Sequence, residues 1–211
     1  MPGKIKIVET KEIILNAAHI LFFKYGIKSV TMDDIAKHLG MSKKTIYQFF
    51  PDKNEVVKSV FKETMLTNKC EFQEITLKSR NAIEEIFEII KHMENMFTKM
   101  NPNLFYDLQK YHQDTWQLFR NFKEKFILET VETNIRKGIK EGLYRKDINI
   151  KVIARFRIEQ VEFAMNPTIF PPDKYNFADV QTALLDHYLH GIATLKGHKL
   201  INKFKQVIEE E

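Results

Sequence analysis

The chain has 211 residues, of which 44% are hydrophobic and 29% charged, a balance that supports a folded core rather than a disordered chain. Only seven glycines and six prolines are present. These are too few for the frequent turns of a β-sandwich or barrel, so the composition favours long helices. The single cysteine excludes a disulfide framework. The longest apolar-rich stretch, residues 13–23, is shorter than the roughly 20 residues of a membrane-spanning helix, so we expect a soluble, cytoplasmic protein.

The net charge of +5 is concentrated at the start of the chain. Residues 1–53 contain nine lysines and five acidic residues, a net charge of +4, whereas residues 54–211 carry only +1. A positively charged segment of this size is typical of a module that faces nucleic acid. A solvated basic surface without a partner would show the same asymmetry, so charge alone leaves both interpretations open.

Four helices are predicted in the first part of the chain. Apolar residues recur at three- and four-residue spacing over residues 10–25, which predicts a first helix closed by Gly26. Thr31 and Asp34 have the spacing of a helix-capping pair, and Gly40 suits the left-handed turn that ends a helix. The second, third and fourth predicted helices cover residues 31–39, 42–49 and 52 to the mid-70s.

The rest of the chain is predicted to be helical, with turns at glycine, proline and asparagine residues. Three prolines between residues 166 and 174 require a loop there, and Gly197 is predicted to end the last long helix. The predicted helices cover residues 83–97, 103–111, 113–141, 149–164 and 177–196, followed by a short final helix. No segment shows the alternating pattern of a strand, so the predicted fold class is all-α.

The spacing of small and apolar residues between positions 31 and 50 is typical of a helix-turn-helix. Ala36 supplies the small residue at which the two helices touch, and Gly40, four positions later, tolerates the turn. Ile46 and Phe50 share a face that packs the second helix against the first. Ser42 is expected to cap this second helix.

The opposite face of the second helix carries polar and basic residues and no acidic residue. Lysine and glutamine supply the donors and acceptors that read base edges, and tyrosine and threonine can contact phosphate. A hairpin with a purely structural role would have no need of such a face. The outward residues are Lys43, Lys44, Thr45, Tyr47 and Gln48. The pattern therefore predicts a helix that enters the major groove of DNA.

The sequence of this segment resembles that of the TetR family of bacterial transcriptional repressors. The resemblance extends from Thr31 to Val57, TMDDIAKHLGMSKKTIYQFFPDKNEVV, and its TIYxxFPxK run is more specific than a bare helix-turn-helix. The first predicted helix and the EGLYRKDIN sequence at residues 141–149 are also similar to family segments. The resemblance implies a three-helix DNA-binding head over residues 1–53. It also implies a larger helical body over residues 54–211 that dimerises and holds a small-molecule inducer.

The resemblance also implies which residues contact DNA. Thr31 and Lys53 stand at helix N-termini, where backbone N–H groups favour phosphate. Phe49 departs from the family pattern, in which a tyrosine or histidine often stands, and is expected in the core. Residues Lys4 and Lys6 either form an arm on the DNA or belong to a solvated terminus. The implied DNA-binding residues are Thr31, Ser42, Lys43, Lys44, Thr45, Tyr47, Gln48 and Lys53.

Two predicted helices, over residues 150–164 and 177–196, are apolar on more than one face. Such helices suit a four-helix interface between two subunits, and a buried core within one subunit is the alternative. A short recognition helix reads only a few base pairs, which favours two heads on a palindromic operator. The expected interface residues are Val152, Phe156, Leu185, Tyr188, Leu189 and Ile192.

Aromatic residues are dense between positions 97 and 126, where methionines accompany them. A stripe of this kind forms plain core in most helical proteins, whereas the resemblance favours a hydrophobic inducer pocket. The body shows no cluster of acids or bases, so we expect a small, mostly apolar effector. The expected ligand-binding residues are Tyr111, Trp116 and Phe119.

No motif of an enzyme is present, neither a glycine-rich phosphate loop nor a Ser-His-Asp grouping nor an HExxH sequence. His187 and His190 lie three residues apart without further ligands, so we expect neither a metal nor a cofactor. The sequence therefore predicts a repressor that binds double-stranded DNA as a homodimer and is released by its effector. The alternative is a DNA-binding protein without a small ligand, which answers to a protein partner or organises DNA.

Overall fold

The structure, a computed structural model, describes residues 2–98 and 100–205, with side chains described for residues 9–94 and 100–205. Within these residues the chain forms eleven α-helices, one short π-helical segment and no strand, which confirms the all-α prediction. The helices are α1 (Pro2–Tyr25), α2 (Met32–Leu39), α3 (Lys43–Phe49), α4 (Lys53–Lys78), α5 (Ala82–Thr98), α6 (Leu104–Tyr111), α7 (Gln113–Phe122), α8 (Leu128–Lys140), α9 (Ile150–Ala164), α10 (Phe177–Ile192) and α11 (Leu195–Lys205). The π-helical segment, Lys123–Ile127, joins α7 to α8. None of the described helices is both long and apolar enough to cross a membrane.

Local hydrogen bonds set the helix ends that the sequence predicts. The N–H of Asp34 donates to Thr31 Oγ1 at 3.1 Å, and the N–H of Thr31 donates to Asp34 Oδ2 at 2.8 Å, which closes the capping box of α2. Gly40 ends α2 with φ +62°. Ser42 Oγ accepts from the N–H of Thr45 at 3.1 Å and so caps α3.

Two predicted helix boundaries are wrong. The first helix begins at Pro2 rather than at residue 10. The helix predicted to reach residue 196 ends at Ile192, because Ala193 is extended and Thr194 donates its N–H to the carbonyl of Leu143 at 2.9 Å. Gly197, predicted to end that helix, lies inside α11, where an added Cβ would be 2.2 Å from the same carbonyl.

The chain divides into two compact units. The head unit consists of residues 1–68 and 99–121, and the body unit consists of residues 69–98 and 122–211. The predicted head of residues 1–53 lies within the head unit, which also takes in the first part of α4 and nearly all of α6 and α7. The predicted boundary after residue 53 stays a prediction.

The core of the body unit is organised around Tyr144, whose side chain is fully buried. Its ring lies over Gly138, where an added Cβ would be 2.0 Å from a ring atom. Its hydroxyl lies 3.2 Å from Asn134 Oδ1, and Asn134 in turn donates to the carbonyl of Ala82 at 2.9 Å. These contacts hold α5 against α8 through a few polar groups in an apolar core.

Candidate nucleic-acid interface

The two helices of the predicted helix-turn-helix pack through small and branched apolar side chains. Ile35 and Ala36 of α2 and Ile46 of α3 are buried, as is Phe50 directly after α3. The N–H of Met41 donates to the carbonyl of Ala36 at 2.9 Å, which tightens the turn between the helices. Because the apolar faces are used in this packing, the polar face of α3 remains at the surface.

The surface of α3 carries four predicted DNA-binding side chains. Lys43, Lys44, Tyr47 and Gln48 are exposed, and Thr45 is half-buried. Residues four positions apart on a helix are neighbours, so Lys43 lies beside Tyr47 and Lys44 beside Gln48. The arrangement presents two cations, an amide and a phenol over two turns, which fits contacts with both phosphate and base edges. We call these four residues the α3 surface.

Hydroxyl groups at the helix N-termini are engaged in capping. Thr31 Oγ1 donates to Asp34 Oδ2 at 2.7 Å, and this hydrogen bond, with one from the Thr31 backbone, holds the pKa of Asp34 below its usual value. Ser42 Oγ and Thr45 Oγ1 lie 2.8 Å apart. Only one of these two hydroxyls donates to the other, so the second proton is free for a phosphate oxygen. The hydroxyl of Thr31 would have to leave Asp34 to do the same.

Lys53 begins α4 and is half-buried. Burial lowers the pKa of its ammonium, while the carboxylates of Asp107 and Asp34 act in the opposite direction. The N-termini of α2 and α4 are therefore close enough for Lys53 and Asp34 to interact. This juxtaposition fits a phosphate site shared by Thr31 and Lys53.

The structure also contains a buried acid that sequence reasoning missed. Asp107 of α6 is buried, and its Oδ2 accepts from the backbone N–H of Lys28 at 2.8 Å. An added Cβ on Gly26, which has φ +84°, would lie 3.4 Å from the same oxygen. The N–H of Asn101 donates to the carbonyl of Phe23 at 2.6 Å. The end of α1 is thus fixed to the segment before α6, and the turn between α1 and α2 is fixed to the middle of α6.

The three predicted ligand-binding residues do not form one cluster. Trp116 and Phe119 stack with ring centroids 5.5 Å apart, and Phe105 lies 5.1 Å from Phe119. Tyr111 is 43% exposed, and the ammonium groups of Lys28 and Lys110 lie 5.4 and 5.5 Å from its ring centroid. All of these residues belong to the head unit.

The predicted interface residues divide into two groups. Leu185, Tyr188, Leu189 and Ile192 are buried in the core of the body unit, where little of their surface is left for a second subunit. Val152 and Phe156 of α9 are 59% and 51% exposed. Phe163, seven residues after Phe156, is exposed as well and was missed because the sequence pattern marks apolar residues on every face of this helix.

His190 of the histidine pair lies among polar side chains of α10 and α11. The imidazole of His190 lies 5.1 Å from that of His198, and its Nδ1 lies 3.1 Å from a carboxylate oxygen of Asp186. His187 is exposed. Among the described residues no group of three or more histidine, cysteine or acidic side chains is placed to hold a metal ion. The side chains of Lys4 and Lys6, predicted as an arm or a solvated terminus, lie outside the described residues.

Comparison with known proteins identifies the family. Residues 14–60 match the model of the family described as bacterial regulatory proteins, tetR family. The chain is 30% identical over 149 residues to the uncharacterized HTH-type transcriptional regulator YhgD of Bacillus subtilis, covering 64% of this chain and 72% of YhgD. The chain belongs to the TetR family. It is also 25% identical to the uncharacterized regulator YvaF of the same organism, over 78% of this chain and 86% of YvaF.

Solved structures share the fold of this chain. A TetR-family regulator from Agrobacterium tumefaciens has a TM-score of 0.72, with 16% identity over 89% of this chain and 100% of that chain. The structure of SmeT in complex with triclosan has a TM-score of 0.65, with 17% identity over 89% of this chain and 93% of SmeT. The protein is therefore a transcriptional regulator of the TetR family, whose members are not enzymes.

Proposed function

We propose that this TetR-family regulator is a cytoplasmic repressor that binds a palindromic operator as a homodimer and leaves it when a small, mostly apolar effector binds. The observation that supports the proposal most directly is the α3 surface. Lys43 and Lys44 are both exposed on a seven-residue helix whose other face is buried in the head unit. Lysine pairs with guanine or phosphate, and Gln48 has the two polar groups that match adenine. Ser42, Thr45, Thr31 and Lys53 position the head on the phosphates.

Two heads are needed for specificity. A helix of seven residues is about 10 Å long and reads only a few base pairs. The apolar side chains of Val152, Phe156 and Phe163, spaced at four and seven residues on α9, form the surface that the second subunit covers; we call them the α9 stripe. Ala183 and Gly191 of α10 are exposed and small, which allows close approach of a facing helix. Two helices from each subunit then form a four-helix interface.

The link between the effector and the head lies in α6. The hydrogen bond between Lys28 and Asp107 fixes the turn before α2, so a shift of α6 changes the position of the helix-turn-helix. An effector that prefers the shifted arrangement moves the population away from the DNA-binding arrangement. The proposed effector contacts are Tyr111 at the end of α6 and the stacked rings of Trp116 and Phe119 on α7. The triclosan complex of SmeT, which shares the fold, supports an effector of mostly apolar character.

The proposal is tested with an operator selected from random duplex DNA. The wild-type protein is expected to bind this duplex as a dimer, and the Lys43→Ala/Lys44→Ala variant to bind it at least ten-fold more weakly. Lys199→Ala, which removes an exposed lysine of α11, is the matched control and should bind like the wild type. Unchanged affinity in the double variant would show that α3 is not the recognition helix.

A second function is favoured by one relative. The nucleoid occlusion factor SlmA of Vibrio cholerae is 26% identical over 206 residues, covering 89% of this chain and 95% of SlmA. A regulator of that kind would bind DNA and answer to a protein partner or organise DNA, without a small effector. This second function would be favoured over the inducible repressor if the protein binds a palindrome specifically and no small molecule changes its affinity for that operator.

A further inference from the structure

Three polar side chains in the body unit are buried without a partner. Arg157 and Gln160 of α9 are 8% and 6% exposed, and Tyr188 of α10 is 4% exposed. Within the described part of the chain, Nη1 of Arg157, Oε1 of Gln160 and the hydroxyl of Tyr188 have no hydrogen-bond partner. Buried polar groups are almost always paired, so three unpaired groups on two adjacent helices require an explanation.

The three groups lie close to one another. The guanidinium of Arg157 lies over the ring of Tyr188, 5.6 Å from its centroid. Gln160 follows Arg157 by three residues, which places both on the same side of α9. The region therefore contains an unpaired cation, an unpaired hydroxyl and an unpaired acceptor.

The charge of Arg157 is what makes the cluster unusual. A guanidinium stays protonated in proteins, so burial cannot be relieved by loss of a proton. Two partly buried lysines of the body unit are paired: Lys137 lies 2.8 Å from the buried carboxylate of Glu85, and Lys123 contacts Glu159 and Glu162. In the described part of the chain, no ion pair involves Arg157.

The acidic residues of α9 are not available to Arg157. Glu159 lies within ion-pair distance of both Arg155 and Lys123, and Glu162 contacts Lys123. Glu124, on the π-helical segment, pairs with Arg155 at 2.6 Å. An unpaired buried charge is costly, so a counterion from outside the chain is the expected partner of Arg157.

We propose that Arg157 and Tyr188 bind the carboxylate of an organic acid whose remaining part is apolar, at a second effector site formed by the body unit alone, and that this acid also releases the operator. A guanidinium offers two parallel N–H donors to a carboxylate, and the hydroxyl of Tyr188 offers a third donor. Oε1 of Gln160 is an acceptor without a hydrogen on it, so it offers no donor to a carboxylate and is not part of the acid site. One guanidinium matches a single negative charge, whereas a phosphate ester carries nearly two. The inference rests on the proposed function, because it takes the acid to be a molecule whose binding releases the operator.

The acid site is tested with matched pairs of neutral and charged probes. Straight-chain carboxylic acids of increasing length, together with benzoate and naphthoate, are each compared with their primary amides by calorimetry on the full-length protein. At least one acid is expected to bind about ten-fold or more tightly than its amide. Arg157→Met should abolish this preference and Tyr188→Phe should reduce it. Arg155→Met, which changes an exposed arginine two residues away, is the control and should keep the preference. If no acid binds more tightly than its amide, the proposal is overturned.

Thermal unfolding without any acid gives a second test that needs no ligand. Arg157→Met removes an unpaired buried charge, so it should unfold at the same temperature as the wild type or a higher one. If Arg157 paired with another group of the chain, its removal would lower the unfolding temperature. A lower unfolding temperature of Arg157→Met would therefore overturn the proposal. If Arg157→Met is monomeric but still binds acids more tightly than their amides, Arg157 pairs with a carboxylate of the second subunit. That result also overturns the proposal.

Operator binding separates this inference from the proposed function. If an acid binds through Arg157 but leaves operator affinity unchanged, the acid site stands and effector release fails. If a neutral molecule releases the operator while no acid binds preferentially, effector release stands and the acid site fails.

Discussion

The backbone N–H of Lys28 donates to the buried carboxylate of Asp107, 79 positions further along the chain, at 2.8 Å. Lys28 lies in the turn between α1 and α2, and Asp107 lies on α6, so the contact joins the helix-turn-helix to a helix far away in sequence. Both residues belong to the head unit. In the proposed repressor this hydrogen bond is the point at which movement of α6 reaches the DNA-binding helices.

Removal of the Asp107 carboxylate should loosen the head unit. Asp107→Ala leaves the N–H of Lys28 without its acceptor and is expected to cost about 1–3 kcal/mol of unfolding free energy. Asp107→Asn keeps an acceptor oxygen and should cost less. Urea unfolding measures both, with Asp114→Asn, an exposed acid on α7, as the control. Equal stability of Asp107→Ala and the control would show that the contact does not hold the turn.

The individual residues of the α3 surface should contribute differently to binding. Lys44→Ala is expected to weaken operator binding by about 1–3 kcal/mol if the lysine reads a guanine. It should weaken all sequences equally and lower the salt dependence if the lysine only meets phosphate. Binding measured on the selected operator and on a scrambled duplex at several salt concentrations distinguishes the two roles. If Lys44→Ala changes neither the affinity for DNA nor its salt dependence, Lys44 does not contact the DNA.

The stability of the protein should fall on mild acidification. Burial lowers the pKa of His112, assisted by the charge of Lys53, and burial also lowers the pKa of His19. Below the ordinary value of 6.5, the unfolded chain therefore binds protons more readily than the native chain. The contribution of the neutral histidines to stability is complete above that pH and is lost as the pH falls from there through the lowered pKa values of the native chain.

Substitution of these histidines should flatten the pH dependence. Urea midpoints of the wild type are expected to decline between pH 7.5 and pH 5.5, values on either side of the ordinary histidine pKa of roughly 6.5. His19→Asn/His112→Asn should show a shallower decline. His38→Asn changes an exposed histidine and is the control. A double variant with the same decline as the wild type would refute the assignment.

A charge in the α9 stripe should separate the subunits. Phe156 is 51% exposed in a single subunit and is expected to be covered in the dimer. Phe156→Glu places two carboxylates at an apolar interface, so the protein should sediment as a monomer at micromolar concentration and bind its operator weakly. Leu195→Glu changes a leucine that is 84% exposed on α11 and should remain dimeric. A dimeric Phe156→Glu variant would place the interface elsewhere.

The parts of the fold that the sequence predicts are those with local causes. The start of α2 at Thr31, its end at Gly40 and the cap of α9 at Asn149 each depend on residues within four positions. The α3 surface follows equally from the spacing of apolar residues over one short helix. These signals are complete within a window of about ten residues.

The features that the sequence does not predict depend on distant residues. α10 ends at Ile192 because the carbonyl of Leu143 accepts from Thr194, and no local signal marks that position. Asp107 is buried by a contact with Lys28, and a single acid in an aromatic-rich helix carries no periodic signal. The isolation of Arg157 is visible only when the ion pairs of its neighbours are known. The sequence therefore predicts a mostly apolar effector and gives no signal for a carboxylate site.

The most direct test of the account is a selection of the wild-type protein on random duplex DNA, followed by the salt dependence of binding to the selected site. We expect a palindromic site, bound by a dimer, with log affinity falling by about 0.9 per phosphate contact for each unit of log salt. Recovery of no preferred sequence, with only salt-sensitive binding to any duplex, would contradict the assignment of the α3 surface as the reader of an operator.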